Sequence, residues 1–209
     1  MTSLPPELAL CITNALRARS EWTNSTSHQE AFRLFNGFYE GQPGLTIDAY
    51  AQTLLISCLR STDLPAEDLQ DLLLNALPWV ETVLFKTKAK GISASCQHVL
   101  PYGDHPVNQI MENGCLYAVD LTMNQDASFY LDTRDLRKWL IEHASGWDVL
   151  NTFAYTGSLG VAALAGGANR VVQVDLNRKF LSLAEQSCVL NNFDSERMRL
   201  YADDFFSVV

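Results

Sequence analysis

The run Asn151-Thr152-Phe153-Ala154-Tyr155-Thr156-Gly157, with a carboxylate following at Asp175, carries the most pointed chemistry in this chain. Asp148 to Phe153 reads as a strand and Ser158 to Ala165 as a helix closed by Gly166-Gly167. Arg170 to Asp175 reads as a second strand. Strand, tight loop, helix and strand make the nucleotide-binding half of a doubly wound α/β fold. The loop lacks the G-x-G-x-x-G that lets backbone N–H groups crowd a pyrophosphate. It offers only Gly157 and Gly160, with Phe153 and Tyr155 where the first glycines would stand. A cofactor without phosphates needs less bare backbone and accepts aromatic walls. That favours S-adenosylmethionine over a dinucleotide. Asp175, at the tip of the second strand, is placed to accept hydrogen bonds from two ribose hydroxyls, each charge-assisted bond contributing roughly 1.5–3 kcal/mol.

The elements that must position this site read as follows. Residues 6–19 form a short helix after Pro5, and Ser20 to Gln29 reads as a polar linker. Residues 31–122 form a small α+β domain. Its parts are a hairpin at 45–50 and 53–57, a helix over 66–77, a strand over 82–88, and a second hairpin turning at Asn113-Gly114. A helix over 132–144 takes Asp132 as its N-cap, and a helix follows over 177–191. A third strand, Met198 to Ala202, leads to Asp203-Asp204. The expected fold is therefore α/β: a partial Rossmann-like sheet over 123–209, preceded by the small α+β domain and by a helix and linker over 1–30. Three strands are half of a doubly wound sheet. The sequence thus reads as a fragment of a longer protein, with one edge of the strand 148–153 unpaired and open to self-association.

Bulk properties narrow the function. The chain has 209 residues, 47% hydrophobic and 19% charged, with a formal net charge of −9. That balance mildly opposes nucleic-acid binding, so any RNA contact needs a local patch. Lys86, Lys88 and Lys90 alternate along a strand and share one face, making the clearest basic patch; the alternative is a solvated edge kept charged to block strand pairing. The cysteines Cys11, Cys58, Cys96, Cys115 and Cys188 form no C-x-x-C. That speaks against a metal site and for a reducing, cytoplasmic setting. Each cysteine reads best as a small buried apolar residue. No apolar run reaches the ~18–20 residues a membrane span needs.

Several segments together resemble the class I S-adenosylmethionine-dependent methyltransferases of the 23S ribosomal RNA (cytosine-C5) family. They are 150–157 with the helix 161–168, Gln125-Asp126-Ala127-Ser128-Phe129-Tyr130-Leu131-Asp132-Thr133-Arg134, Phe35-Asn36-Gly37 through Asp48, and Glu112-Asn113-Gly114. The likeness runs from about Ala31 to Val209. It implies that Asn151, Phe153, Ala154, Tyr155 and Gly157 shape the methionine end of a cofactor site. It further implies that Asp175 holds the ribose, Asp203 accepts from the adenine amino group, and Phe129 and Arg134 line the entrance. The substrate it implies is RNA.

The chain departs from the family pattern in lacking an RNA-binding domain at its start, and in lacking the acidic-Pro-Pro motif and the later cysteine. Cytosine C5 is a weak nucleophile until a thiolate adds to C6. No cysteine here stands at the matching position, so no catalytic residue is assigned and the chain alone is expected to be inactive. Four readings stay open: an RNA base methyltransferase lacking its catalytic half, a non-catalytic cofactor- or RNA-binding module, a nicotinamide-dependent oxidoreductase and a small-molecule methyltransferase. The missing G-x-G-x-x-G disfavours the third, and the small domain disfavours the fourth.

Overall fold

A computed structural model describes residues 3–59, 64–88, 97–123 and 127–208, without the side chains of Lys88 and Gln97. The chain divides into two compact units, Met1–Val107 and Asn108–Val209.

The first unit holds α1 (Pro6–Ala18), α2 (Ser20–Thr23), β1 (Ala31–Asn36), β2 (Leu45–Tyr50), β3 (Thr53–Leu59), α3 (Ala66–Ala76), β4 (Thr82–Lys88) and β5 (Gln97–Tyr102). Pro5 and Pro6 start α1, and Leu8, Ile12 and Ala15 fall on its buried side at helical spacing. The strands form one sheet in the order β1-β2-β3-β4-β5. Its parallel pair, β3 and β4, is joined by α3, and the other neighbours are antiparallel. Leu34, Ile47, Leu54, Ile56 and Val83 meet Leu69 and Leu73 of α3 and Ile12 of α1 in the core. The N-terminal helix is thus part of this unit, and Ser20–Thr23 is helical where the sequence reads as linker.

The structure does not present the basic patch expected at Lys86. Strand β4 is not an edge, since β3 and β5 flank it, and Lys86 lies between Ser57 and His98. The Lys86 side chain is 0% exposed, so it presents no charge to solvent or to phosphates. The Lys88 side chain and Lys90 lie outside the described residues.

The second unit holds β6 (Gln109–Glu112), β7 (Cys115–Ala118), α4 (Arg134–His143), β8 (Asp148–Thr152), α5 (Ser158–Ala165), β9 (Arg170–Val174), α6 (Arg178–Leu190), β10 (Met198–Tyr201) and α7 (Phe205–Val208). Its parallel sheet runs β10-β9-β8. Val149, Val171 and Met198 pack with Ala163, Leu164, Ala168 and Cys188 on one face. The β6–β7 hairpin turns at Asn113-Gly114, both with positive φ as a tight turn requires. It belongs to this unit rather than to the α+β domain, which moves the division ahead of the boundary at 122/123 read from sequence. The reason is bonding to α6. Asn191 accepts from the Leu116 N–H at 2.9 Å and donates back to the Leu116 carbonyl at 2.6 Å, and the Ser187 hydroxyl accepts from the Ala118 N–H at 2.9 Å. Asp132 is not an N-cap: Leu131–Thr133 form a 3-10 turn and α4 begins at Arg134 after an uncapped Thr133. No helix among the described residues is long and apolar enough to cross a membrane.

Candidate functional site

Parallel pairing brings the carboxyl ends of β8, β9 and β10 into line, since Thr152 pairs with Val174 and Val174 with Tyr201. The crevice outside such strand ends is where open α/β sheets bind ligands. Three segments converge there: the loop 153–157 after β8, Asp175 after β9 and Asp203 after β10.

The loop is wound tightly. Phe153, Tyr155 and Gly157 have φ of 55°, 53° and 74°. A non-glycine residue in that region costs roughly 1–2 kcal/mol, so neighbours must enforce the geometry. They do so by three bonds. The Ala154 N–H donates to the Val174 carbonyl, and the Gly157 N–H to the Ala154 carbonyl, each at 2.8 Å. The Tyr155 N–H donates to Asp175 Oδ2 at 2.8 Å. Asp175 Oδ1 accepts from the Asn177 N–H at 2.9 Å. Asn177 in turn caps α6 by accepting from the Lys179 N–H. Asp175 thus pins the loop, the strand end and the start of α6 with one bond on each oxygen.

That arrangement fits an adenosine-type ligand. A carboxylate offers about four lone-pair sites, so half-buried Asp175 keeps acceptor capacity for ribose hydroxyls after both backbone bonds. Phe153 is 78% exposed and lies 6.1 Å, ring to ring, from Phe205. The two rings, tilted 37° to one another, form an apolar wall at the strand ends. Asp203 is exposed on the same rim, where its Oδ1 accepts from the Asp204 N–H at 2.7 Å. Tyr155 turns inward, with its ring 4.7 Å from Phe180 and 5.0 Å from Tyr130. Ala154 is buried beneath the loop.

Three expected residues sit differently from the roles the resemblance implies. Asn151 faces along the sheet, where its Nδ2 donates to Gln173 Oε1 at 3.0 Å. Phe129 is buried, 5.2 Å from the Tyr117 ring and 4.0 Å beneath the Arg137 guanidinium, rather than at an entrance. Arg134 pairs with the buried Glu112 carboxylate at 3.2 Å. Gln125 and Asp126 of the same motif lie outside the described residues.

Sequence reading missed Gln173, Arg137 and Ser128. Gln173 is fully buried in mid-strand, bonded to Asn151 and, through Nε2, to Met198 Sδ at 3.2 Å. Its amide fills the space beside Gly157 and Gly160, where a Cβ would come within 2.6 Å and 2.5 Å of it. The glycines therefore make room for a side chain, not for a phosphate. A lone Gln in the apolar run 171–174 was the signal available.

The cysteines of this region supply no thiolate. Burial pushes Cys115 up to about 11, partly countered by a hydrogen bond with Tyr117 and reinforced by Glu112. Burial raises Cys188 to about 11, with Cys115 and Glu185 adding to the rise and Arg197 opposing it. In the first unit Cys58 is raised by burial, with its Thr87 hydrogen bond opposing. Cys96 lies outside the described residues. Among the described residues no cluster of three His, Cys, Asp or Glu side chains is placed to hold a metal.

Known proteins match this geometry. Residues 82–209 match the family model described as S-adenosylmethionine-dependent methyltransferase. Over 204 residues the chain is 29% identical to the ribosomal RNA large subunit methyltransferase I of Erwinia tasmaniensis, covering 94% of this chain and 51% of that one. A Streptococcus mutans protein described as an S-adenosylmethionine-dependent methyltransferase superposes with a TM-score of 0.83 at 26% identity, covering 100% of this chain and 55% of its own. A structure described as a methyltransferase complexed with S-adenosylhomocysteine gives 0.80 at 27% identity, covering 100% and 54%. The chain spans about half the length of the curated relatives it matches.

Proposed function

Because this chain belongs to the S-adenosylmethionine-dependent methyltransferase family, we propose that its second unit holds that cofactor for methyl transfer to an RNA base, a cytosine of large-subunit ribosomal RNA. The observation that carries this reading is the convergence of the loop 153–157, Asp175 and Asp203 at the ends of three parallel strands. In the proposed site Asp175 accepts from the ribose hydroxyls while its backbone bonds keep the loop closed. Asp203 accepts from the adenine amino group, and Phe153 with Phe205 walls the adenosine. Ala154, Tyr155 and Gly157 shape the methionine end. Asn151, Phe129 and Arg134 stand one step back from the cofactor, against Gln173, Arg137 and Glu112. The cofactor supplies an electrophilic methyl group, and the protein must hold the acceptor carbon in line with it. RNA as substrate is supported by the name of the ribosomal RNA relatives. A cytoplasmic setting is proposed with it, from the scattered cysteines.

The cytosine reading requires a thiolate. Cys58, Cys115 and Cys188 are buried with raised pKa values and do not serve. The family resemblance puts the attacking cysteine after an acidic-Pro-Pro motif that these 209 residues do not contain, and we place the nucleophile there. The test has two parts. Calorimetry with S-adenosylhomocysteine should show binding by this chain, weakened roughly ten- to a hundred-fold in Asp175→Ala. Radiolabelled methyl transfer to ribosomal RNA should occur with an extended chain carrying the acidic-Pro-Pro motif and its cysteine, and not with this one. Equal affinities would remove Asp175 from the site. Turnover by the 209 residues alone would show the nucleophile misplaced.

A further inference from the structure

Arg137 and Glu112 form a buried, bidentate charged pair in the second unit, and nothing in the proposed chemistry uses them. Both side chains are fully buried. Arg137 Nε donates to Glu112 Oε1 at 2.6 Å and Nη2 to Oε2 at 3.0 Å, a two-point fork. Its Nη1 donates to the Tyr130 carbonyl at 2.8 Å and to Thr133 Oγ1 at 2.6 Å. Its guanidinium lies 4.0 Å from the centre of the Phe129 ring. Arg134 Nε adds to Glu112 Oε2 at 3.2 Å. One arginine thereby holds the backbone or side chains of Phe129, Tyr130 and Thr133, and ties that segment to the end of β6.

The same segment touches the cofactor loop on its other side. Thr156 Oγ1 donates to the Ser128 carbonyl at 2.6 Å, and the Tyr130 ring lies 5.0 Å from Tyr155. Ser128 has φ of 56° and is fully buried. Its hydroxyl accepts from the Asp120 N–H at 2.7 Å. A serine there adopts the left-handed region because bonds on both sides fix it. Residues 128–134 thus form a strap, clamped by Glu112 and Arg137 at one side and bonded to the 153–157 loop at the other.

We infer that Arg137, through its fork to Glu112, is a positioning residue for the cofactor site. It sets the strap 128–134 and so sets Tyr155 and Thr156 in the loop that Asp175 closes. The inference rests on the cofactor reading above. A purely structural ion pair would stabilise the fold without affecting the loop. A positioning pair must couple to it, because its effect on ligand affinity passes through Ser128 and Tyr130. Arg137→Lys removes the fork and keeps the charge. Thr156→Val cuts the strap from the loop and leaves the ion pair intact.

The experiment measures S-adenosylhomocysteine affinity by calorimetry and Tm by calorimetric unfolding for the wild-type chain, Arg137→Lys, Thr156→Val and the double variant. The expected result is weaker binding in each single variant, and a double variant at least about threefold tighter than the product of the two losses predicts. A lower Tm in Arg137→Lys with unchanged affinity, or two losses that simply multiply, overturns the positioning role. If Arg137→Lys does not fold, Thr156→Val is compared with Tyr130→Leu. Both keep the fork and both must weaken binding, and unchanged affinity in either overturns the inference. Absence of binding by the wild-type chain fails the cofactor reading itself, which separates the two outcomes.

Discussion

A Cβ built on Gly160 would lie 2.5 Å from the amide carbon and oxygen of Gln173, and one on Gly157 would lie 2.5 Å from Ala184 Cβ as well as against Gln173. Gln173 has no room to yield, being buried and bonded on both sides. Gly160→Ala should therefore destabilise by roughly 1–3 kcal/mol, as overpacking does. The two glycines differ in what relieves them. The three atoms nearest a Cβ on Gly160 all belong to Gln173, so adding Gln173→Ala to Gly160→Ala should cost less than the sum of the two single changes. Gly157 also meets Ala184 and sits at φ of 74°, so Gln173→Ala should give Gly157→Ala little relief. Urea midpoints of the single and double variants decide it. Equal relief at both positions would mean that Gln173 is not what the glycines accommodate. The sequence displayed the two glycines and the aromatic residues between the strands, and from them the class of cofactor. It did not display what the glycines face, because the neighbour comes from the next strand.

At the scale of elements, two thiols make β7 and α6 sensitive to alkali. Cys115 on β7 and Cys188 on α6 ordinarily ionise near 9.0 and are pushed to about 11 by burial. Both pKa values are raised, so the folded chain keeps protons that the unfolded chain sheds. Their contribution to stability is complete below pH 9 and is lost as pH rises toward 11. Calorimetric Tm between pH 8 and 11 should fall more steeply in the wild type than in Cys115→Ala/Cys188→Ala, the difference reporting the two thiols together with Tyr117, whose hydroxyl is coupled to Cys115. Parallel slopes would show that the thiols are free to ionise in place. The strands β8, β9 and β10 and the helices between them were legible because each carries its own apolar period and its own stop, such as Gly166-Gly167 and the polar run before Met198. The hairpin at Asn113-Gly114 was legible from its turn residues. Strand β1 was missed because Ala31-Phe32-Arg33-Leu34-Phe35 breaks alternation, which the register shift between Arg33 and Phe35 explains. Strand β5, Gln97–Tyr102, carries a proline and lies at the sheet edge, where period carries little information. Lys86 differs from that expectation for a tertiary reason: alternating lysines look solvated in sequence, and only the folded unit places β4 inside the sheet with this side chain buried.

At the scale of the molecule, the sheet of the second unit is covered unevenly. Parallel strands normally bury both faces. Here Val149, Val171 and Met198 face Ala163, Leu164 and Cys188. By the alternation of side chains along a strand, Leu150, Val172 and Tyr201 point the other way. On that face Leu150 is 51% and Tyr201 39% exposed. Strand β8 pairs only with β9 among the described residues. An apolar face beside an open strand edge invites pairing with another chain. The net charge of −9 opposes this only at long range and is screened beyond about 8 Å at physiological salt. The 209-residue chain should therefore self-associate reversibly with rising concentration, the β8 edge and Leu150 meeting their counterparts across a two-fold axis. Sedimentation equilibrium should show the weight-average mass climbing above 23.3 kDa. In Leu150→Lys two like charges would meet at the axis, so the climb should move to higher concentration or vanish. Leu150 lies on the face away from Gln173 and the loop bonds, so S-adenosylhomocysteine affinity should be the same in both proteins when each is dilute. A wild-type chain monomeric at every concentration, or a variant that associates as before, would show that this face and edge are not what brings the chains together.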